Sequence, residues 1–184
     1  TGDDKYLASN GVHIDPAYET DSSGMLIPFV VSGCGLTFVP EKSFTGQGTG
    51  VTVVRQDTNG TTVQAKYTPT VTPVVPTAIS AETTGKQGQL QHQDATTLFT
   101  EGDSVAPIDN STITLLDESG KAVDEISAKD AQGNVIGSYS IDENGQITFT
   151  PNKNFVGTPV AAKIQAKDTN GTSVETTYTP TVTP

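Results

Sequence analysis

The sequence is poor in the residues that cross-link or fill small domains. It holds one cysteine, Cys34, and no tryptophan among 184 residues. A single cysteine cannot form an intramolecular disulfide or build a thiolate zinc site. Its surroundings, Ser-Gly-Cys-Gly-Leu, are typical of a turn, so Cys34 is interpreted as a small residue beside a strand and not as a nucleophile.

Positive charge is also scarce. Ten Lys and Arg residues face 21 Asp and Glu residues, which gives a formal net charge of -11. Such a chain repels phosphate backbones and anionic lipid, so neither nucleic acid nor a membrane surface is an expected partner. No apolar run approaches the ~20 residues of a membrane span, so no membrane insertion is expected. Thr1 begins without a basic and apolar leader, so no signal peptide is expected within this sequence.

Gly, Pro and Thr are abundant, with 18 Gly and 11 Pro residues. This composition disfavours long amphipathic helices and favours short strands joined by tight turns. The predicted fold class is therefore all-β.

The strongest signal is an internal repeat. Shifting the sequence by 111 residues aligns LTFVPEKSFTG at 36–46 with ITFTPNKNFVG at 147–157, and both copies end in YTPTVTP. A fixed period of this length is the mark of tandem modules. We predict a first repeat module at 1–73, truncated or divergent because 1–35 has no match, a Pro-bearing linker at 74–77, and a complete second module at 76–184. The chain is expected to stop at Pro184 because a module stops there.

Period-two alternation predicts the strands at the end of each copy. In the second copy the predicted inward face of the last strand is Thr172, Val174, Thr176, Tyr178, Pro180 and Val182. In the first copy it is Thr61, Val63, Ala65, Tyr67, Pro69 and Val71. The preceding strand of the second copy alternates in the same way, with Val160, Ala162, Ile164 and Ala166 on one face. Pro69 and Pro180 cannot donate to a ladder, so the last strand is expected to lie at a sheet edge or to leave the sheet there.

Turn signals separate these strands. Asn-Gly at 59–60, 144–145 and 170–171 predicts tight hairpins with positive φ. The segments STITLLD at 111–117 and NVIGSYSID at 134–142 read as further strands, and VDEISAKDA from Val123 is the one stretch that could turn helically. About seven short strands then predict a β-sandwich of the Ig-like, Greek-key type, with modules arranged end to end.

The repeat motif defines a set of structural positions. Phe38 and Phe149 are expected to end a strand, and Phe44 and Phe155 follow a Pro-containing loop, so each pair is expected to close one end of a sandwich. The full set is Phe38, Pro40, Phe44, Gly46, Asp57, Asn59, Gly60 and Tyr67 in the first copy, and Phe149, Pro151, Phe155, Gly157, Asp168, Asn170, Gly171 and Tyr178 in the second.

The joined motifs PTAISAETTGKQGQ, FTEGD, ITFTPNKNF, DTNG and YTPTVTP resemble the CshA-type fibril repeats of Gram-positive cell-wall-anchored adhesins, over roughly 36–184. The resemblance implies modules strung in series between a ligand-binding head and a cell-wall sorting signal. It implies no catalytic residue in the repeats. A looser likeness to bacterial cadherin-like repeats, which often hold calcium at module junctions, rests on FTP..NF.G and D.NG.

Candidate sites are few. Calcium favours carboxylate and carbonyl oxygens, and Asp57, Asn59, Asp168 and Asn170, with Asp142 and Asn144, offer them. Asp and Asn also populate turns for backbone reasons, so no metal site and no cofactor are predicted. His13 and Asp15 could form a metal pair, but two side chains do not make a site and His92 lies far away in sequence.

Two further chemistries were weighed. No nucleophile elbow or framed carboxylate pair is present, so the chain is not expected to be an enzyme. Adhesins without disulfides can carry Lys-Asn isopeptide or Thr-Gln ester bonds, and Lys153 keeps that option open, but no such bond is predicted. Sequons at Asn59, Asn110 and Asn170 would matter only in a glycosylating host.

The sequence therefore predicts structural spacer repeats of an extracellular surface fibril, monomeric in isolation, whose partners are neighbouring repeats of the same chain. Host extracellular proteins would be bound through other regions. Two alternatives stay open: a module that itself binds fibronectin or a glycan, with 1–35 as its seat, and a calcium-rigidified tandem repeat.

Overall fold

The computed structural model describes residues 12–14, 19–20, 26–27, 29–32, 35–48 and 50–184 of the chain. The chain divides into two compact units, Thr1–Pro73 and Val74–Pro184. The second unit is described throughout, and the first unit in part.

The second unit is built almost wholly from strands. Its eleven strands are β10 (Thr77–Ala78), β11 (Ala81–Lys86), β12 (Gln91–Asp94), β13 (Phe99–Thr100), β14 (Ile108–Leu116), β15 (Ala122–Val123), β16 (Glu125–Lys129), β17 (Val135–Ile141), β18 (Gln146–Pro151), β19 (Ala162–Asp168) and β20 (Ser173–Thr183). One 3-10 turn, Ala95–Thr97, begins where Oδ1 of Asp94 accepts a hydrogen bond from the backbone N–H of Thr96. This unit has more strands than the seven expected, because its N-terminal third is also pleated.

These strands form two facing sheets. One has the order β11-β20-β19-β14-β15 and the other the order β12-β18-β17-β16, while β10 pairs with β13. The central orders β20-β19-β14 and β12-β18-β17 reproduce the G-F-C and B-E-D orders of Ig-like sandwiches. The predicted all-β fold class is confirmed.

The core lies between the two sheets. Its largest fully buried side chains in the second unit come from both layers: Tyr139, Phe149 and Ile147 on one side, and Tyr178, Leu115, Ile164, Pro180 and Val182 on the other. Burial of this apolar area is the main force that holds the layers together. The predicted inward positions Tyr178, Pro180 and Val182 of β20 are all buried, as are Ala162, Ile164 and Ala166 of β19.

Two details of the second unit differ from the pattern in the sequence. Val160, which alternation places on the same face as Ala162, is 57% exposed because β19 begins only at Ala162. The stretch from Val123 contains no helix and forms β16, which pairs with β17. Glu, Ala and Lys in that stretch favour a helix locally, but pairing with a buried neighbouring strand overrides the local propensity.

The first unit shows nine strands within its described residues: β1 (Val12–Ile14), β2 (Glu19–Thr20), β3 (Leu26–Ile27), β4 (Phe29–Ser32), β5 (Gly35–Phe38), β6 (Gly46–Gln47), β7 (Val51–Gln56), β8 (Thr62–Tyr67) and β9 (Thr70–Val71). They pair as β1-β7-β8, β2-β3, β4-β5 and β6-β9.

Strand pairing in the first unit follows that of the second, although the letters of 1–35 do not match. Phe29 pairs with Phe38. Phe38 occupies the repeat position of Phe149, and Phe149 pairs with Tyr139. In the same way β1 pairs with β7, which corresponds to the pairing of β14 with β19. Backbone pairing therefore persists where side-chain identity has diverged.

The predicted inward face of β8 is wrong. All six residues of β8 are exposed, with Val63 at 66% and Tyr67 at 41%, whereas Pro69 is buried and Val71 half-buried. The matching strand β20 lies between β11 and β19 and faces the second sheet. Among the described residues, β8 has only β7 as a neighbour. Alternation therefore predicted the strand itself correctly, but it did not predict whether a second sheet would cover one face of that strand.

The two tyrosines at the same repeat position are expected to differ in their contribution to stability. Tyr178→Ala should lower the free energy of unfolding by about 3–5 kcal/mol because it empties a fully buried site. Tyr67→Ala should cost less than about 1 kcal/mol because Tyr67 is already partly in water. Hydrogen exchange of peptides that span β20 and β8, measured in the full chain, would separate the two effects. Equal losses would contradict the assigned burial.

Candidate functional site

The first and last long strands of the second unit lie side by side and run in the same direction. Strand β11 pairs with β20 in parallel, from Ala81 opposite Tyr178 to Lys86 opposite Thr183. The ladder is extended by the backbone N–H of Gln87, which donates to the carbonyl oxygen of Thr183 at 2.8 Å. We call β11 and β20 the terminal-strand pair.

A buried polar cluster joins this pair to the second sheet. The hydroxyl of Thr83 donates to Oε1 of Gln91 at 2.5 Å and lies 2.7 Å from the hydroxyl of Tyr178. Nε2 of Gln91 donates to the carbonyl oxygen of Thr181 at 3.0 Å. Because the single proton of Thr83 goes to Gln91, the hydroxyl of Tyr178 donates to Thr83. Thr83, Gln91 and Tyr178, the Thr83 cluster, thus connect β11, β12 and β20.

Gly85 makes room for this cluster. Gln91 is 5% exposed and lies against Gly85, where an added Cβ would stand 2.9 Å from Cγ of Gln91. Any side chain at this position would push Gln91 away from Thr83 and from the carbonyl of Thr181. Gln91 and Gly85 were missed by sequence reasoning; Gly85 lies inside the segment ETTGKQGQ at 82–89, and Gln91 follows it by two residues.

The rings of three buried aromatic residues continue inward from the cluster. The ring of Tyr139 lies edge-on to that of Tyr178 at 6.1 Å and tilted against that of Phe149 at 5.1 Å. The hydroxyl of Tyr139 donates to the carbonyl oxygen of Val160 at 2.9 Å. Burial raises the pKa of Tyr139, and the neighbouring Tyr178 adds to the effect. Burial also raises the pKa of Tyr178. Both phenols therefore stay neutral and act as hydrogen-bond donors.

The phenylalanine pairs are placed differently in the two units. Phe149 does not end its strand, because β18 continues to Pro151, and it is fully buried between the sheets. Phe155 is half-buried and packs against the core. In the first unit, Phe38 ends β5 as expected, and its ring meets that of the buried Phe44 edge-on at 6.2 Å.

Motif glycines following these loops contact the last strand in both units. Gly157 has φ 126° and exchanges two backbone hydrogen bonds with Val182, at 2.9 and 2.8 Å. At the corresponding repeat position, Gly46, with φ 106°, pairs with Val71. The ladder between β19 and β20 ends at Tyr178, before Pro180, whose missing N–H is not needed by that neighbour.

Five hairpin turns in the described residues share one geometry. Each turn has the pattern Asp-x-x-Gly-x. The backbone N–H of the Asp donates to the carbonyl oxygen of the fifth residue, and the N–H of the Gly donates to the carbonyl oxygen of the Asp. The five turns begin at Asp57, Asp117, Asp130, Asp142 and Asp168. The glycine takes positive φ in every case, and no Asn does. The positive φ predicted for the Asn-Gly turns is therefore confirmed, and the glycine of each pair is the residue that adopts it.

The calcium candidates are part of this turn chemistry. Oδ1 of Asp57 accepts from the N–H groups of Asn59 and Thr61, both at 2.9 Å. Oδ1 of Asp168 accepts from those of Asn170 and Thr172, also at 2.9 Å. Oδ2 of the buried Asp168 has no hydrogen-bond partner among the described residues. No cluster of three or more His, Cys, Asp or Glu side chains occurs in that part of the chain.

The remaining candidates do not come together. Asp15 and Cys34 lie outside the described residues, and His13 is placed only as a strand position opposite Val54. His92 is exposed on β12, with Nδ1 3.1 Å from the hydroxyl of Thr148. Lys153 is exposed in the turn after β18. The Thr-Gln pair that the structure does bring together, Thr83 and Gln91, is joined by a hydrogen bond.

An open cleft of about 740 Å³ lies along the side of the second unit, between the β14–β15 region and β16. Its rim carries Asp117, Glu118, Asp130, Lys129 and Lys163. Nζ of Lys129 forms an ion pair with Oε1 of Glu118 at 2.7 Å, and both side chains are exposed. The charged groups are thus spread along a solvent-exposed rim and not gathered in a polar interior.

Comparison with known proteins identifies one family. The family profile described as the surface adhesin CshA repetitive domain matches residues 28–71 and 73–182. Its first segment starts eight residues ahead of the sequence match at Leu36. A search of curated proteins finds no match.

Several solved structures are weakly similar. CopC from Methylosinus trichosporium OB3b is 17% identical over 56% of this chain and 85% of its own, with a TM-score of 0.30. The tetra-tandem repeat in the extending region of a large adhesion protein is 18% identical over 96% of this chain and 43% of its own, with a TM-score of 0.31. The EC3-6 structure of protocadherin gammaB7 is 8% identical over 94% and 40%, with a TM-score of 0.36. The chain spans about two fifths of the last two structures.

Removal of the Asp168 carboxylate should destabilise the hairpin without affecting any response to calcium. Asp168→Ala leaves two N–H groups without their acceptor and should cost about 2 kcal/mol. Asp168→Asn keeps Oδ1 and should retain most of the stability. Melting followed by circular dichroism, with added calcium and with chelator, would test both. A calcium ligand would instead make Asn as damaging as Ala and raise the melting temperature of the parent chain when calcium is added.

Acid should destabilise the second unit through two exposed turns. The side-chain hydrogen bond from Ser119 is the main cause that lowers the pKa of Asp117, and the one from Asn134 is the main cause that lowers the pKa of Asp130. A carboxylate with a lowered folded-state pKa contributes stability above its unfolded pKa, near 3.8, and loses it as the pH falls. Melting temperatures should therefore hold down to about pH 5 and drop between about pH 5 and about pH 2, and less so in the double variant Asp117→Asn, Asp130→Asn. An equal drop in both proteins would contradict the assignment to these turns.

Proposed function

Since this chain belongs to the family of the surface adhesin CshA repetitive domain, we propose that it forms the spacer repeats of a bacterial surface fibril. In this proposal the repeats hold a distal ligand-binding head away from the cell wall to which the fibril is anchored. Membership of a surface-adhesin repeat family implies an extracellular surface location. No helix among the described residues is long and apolar enough to cross a membrane.

The direction of the terminal-strand pair carries the proposal. Because β11 and β20 are parallel, the chain enters the pair at Ala81 and leaves it at Thr183, at the opposite end of the sheet. An antiparallel pair would bring entry and exit to the same end, and successive copies would fold back on one another. Parallel terminal strands instead allow each copy to begin where the previous copy ends.

The dimensions support a spacer. Strand β20 has eleven residues, Ser173–Thr183, and at ~3.3 Å per residue it spans about 35 Å. Each additional repeat would extend a fibril by a length of this order. Reach then grows with the number of copies and requires no ligand.

The segment that enters the second unit is held close to its body. Pro76 is buried, and an added Cβ on Gly102 would overlap the backbone of Val75. Gly102 lies in the segment FTEGD at 99–103, and its lack of a side chain permits this close approach. Two prolines, Pro73 and Pro76, restrict the backbone further. The chain that leads into the second unit is thus held by contacts within that unit.

Neighbouring repeats of the same chain are the partners in this proposal, and host proteins are bound elsewhere in the fibril. The acidic composition fits this role, because like charge keeps long surface polymers soluble and apart. Adhesin repeats of this family are generally not enzymes. We propose no catalytic role.

Extension of the chain by one further copy of Val74–Pro184 should increase its length, not its thickness. We expect the maximum dimension from small-angle X-ray scattering to rise by about 35–40 Å. Gly102→Ala should broaden the distribution of lengths because its Cβ displaces the backbone of Val75. Glu101→Ala, an exposed change in the same loop, should not.

A maximum dimension that stays constant when the copy is added would refute the spacer role. Binding of fibronectin or of a glycan panel to the chain itself would favour the adhesive alternative.

A further inference from the structure

The parallel terminal strands determine how the second unit meets tension. A pull applied through Val74 and Pro184 draws β11 and β20 in opposite directions along their common axis. The hydrogen bonds of the pair are then perpendicular to the force and bear it together. They extend from Ala81 opposite Tyr178 to Gln87 with Thr183. Rupture requires many bonds to fail together.

The same strands pulled apart from one end would behave differently. Between Gln87 and Pro184, both of which lie at the same end of the pair, force would open the bonds one after another. Each step would break about one hydrogen bond, which contributes only about 1 kcal/mol net in water. The geometry therefore makes resistance depend on direction.

We propose that the terminal-strand pair is the force-bearing element of the repeat, and that the Thr83 cluster locks it against sliding. The inference deepens the spacer role and rests on it for the origin of the tension. A spacer in a surface fibril transmits tension from the head of the fibril to the cell. Each repeat must therefore contain an element that resists extension along the chain.

Contacts around the pair support this role. Strand β20 is held on its other side by β19, from Ala162 opposite Tyr178 to Lys167 opposite Ser173. Sliding of β11 would separate Thr83 from Tyr178 and from Gln91, which also holds the carbonyl of Thr181. Gln91 and Tyr178 are buried and Thr83 is partly buried, so opening of the cluster would expose polar groups that have lost their partners.

The entry segment is attached more weakly than β11. Strand β10, of two residues, pairs with β13, and Ile79 adds one backbone hydrogen bond to Leu98. The hydroxyl of Thr176 holds the carbonyl of Ile79 at 2.7 Å. Under tension these few bonds release first and extend the chain by a few residues. The load then reaches the terminal-strand pair.

Single-molecule force spectroscopy on the full chain would test the proposal with two attachment geometries. Cys34→Ser removes the natural thiol, and one cysteine is added after Pro184. The second thiol is Val75→Cys, which loads the pair along its axis, or Gln87→Cys, which opens it from one end. Both parent residues are exposed. The unfolding force should be roughly twofold or more higher in the first geometry, since forced unfolding follows the barrier to rupture. Equal forces would overturn the proposal.

A matched pair of variants tests the lock. Thr83→Val removes a hydroxyl from the cluster, and Thr114→Val removes a part-buried hydroxyl from β14 in the same sheet, where it contacts the carbonyls of Leu115 and Val123. Thr83→Val should lower the force along the strand axis, while Thr114→Val should leave it unchanged. Equal effects of the two variants would refute the lock.

The outcomes separate this inference from the spacer role. Equal forces in the two geometries, together with a length that grows with each added copy, would remove the force-bearing pair and leave the spacer intact. A direction-dependent force without growth in length would keep the pair and remove the spacer.

Discussion

The parallel pairing of β11 with β20 is the interaction on which the rest of the second unit depends. It places the first and last long strands of the unit side by side in one sheet. Strand β20 then has a neighbour on each side, and Tyr178 is fully buried. Without β11, β20 would be an edge strand with unpaired backbone groups, which is a poor ending for a module. The same pairing sends the chain out at the opposite end from its entry. Core stability and the direction of growth thus have one origin.

Comparison of the two units shows what this pairing contributes. Tyr67 and Tyr178 stand in identical heptapeptides, yet one is partly exposed and the other fully buried. Both tyrosines follow a hairpin turn with the same sequence, Asp-Thr-Asn-Gly. The difference lies in the strands around them, since β20 has β11 and a facing sheet with Tyr139, and β8 has only β7 among the described residues. A repeated motif therefore guarantees the local pleat, and burial depends on what its neighbours supply.

Local features could be predicted from the sequence, and long-range features could not. Alternation and glycine turns act over a few residues, so the hairpins that join β7 to β8, β17 to β18 and β19 to β20 were predicted correctly. The pairing of β11 with β20 joins residues 97 positions apart, such as Ala81 and Tyr178, and nothing within either strand specifies its partner. The Thr83 cluster was missed for the same reason. Nothing in the sequence distinguishes Thr83 and Gln91 from other polar residues, and only the fold places them beside Tyr178. Strand β16 was missed for the opposite reason, because its local helical preference is real but weaker than its pairing with β17.

The cluster also explains how so uniform a sequence finds one register. Strand β20 ends in alternating Thr, Tyr, Pro and Val, and β11 is rich in Thr, so a slip of two residues would keep every side chain on its proper face. Hydrophobic patterning alone cannot reject that slip. Gly85 excludes the slip, because only a glycine fits against the side chain of Gln91. A slip of two residues would bring Thr83 or Gln87 to the position of Gly85. Thr83 rejects it as well, since the hydroxyl of Tyr178 and Oε1 of Gln91 would then be buried without a partner, at a cost of about 1–3 kcal/mol for each group. One small residue and three hydrogen-bonding side chains thus fix the alignment that the apolar pattern leaves open.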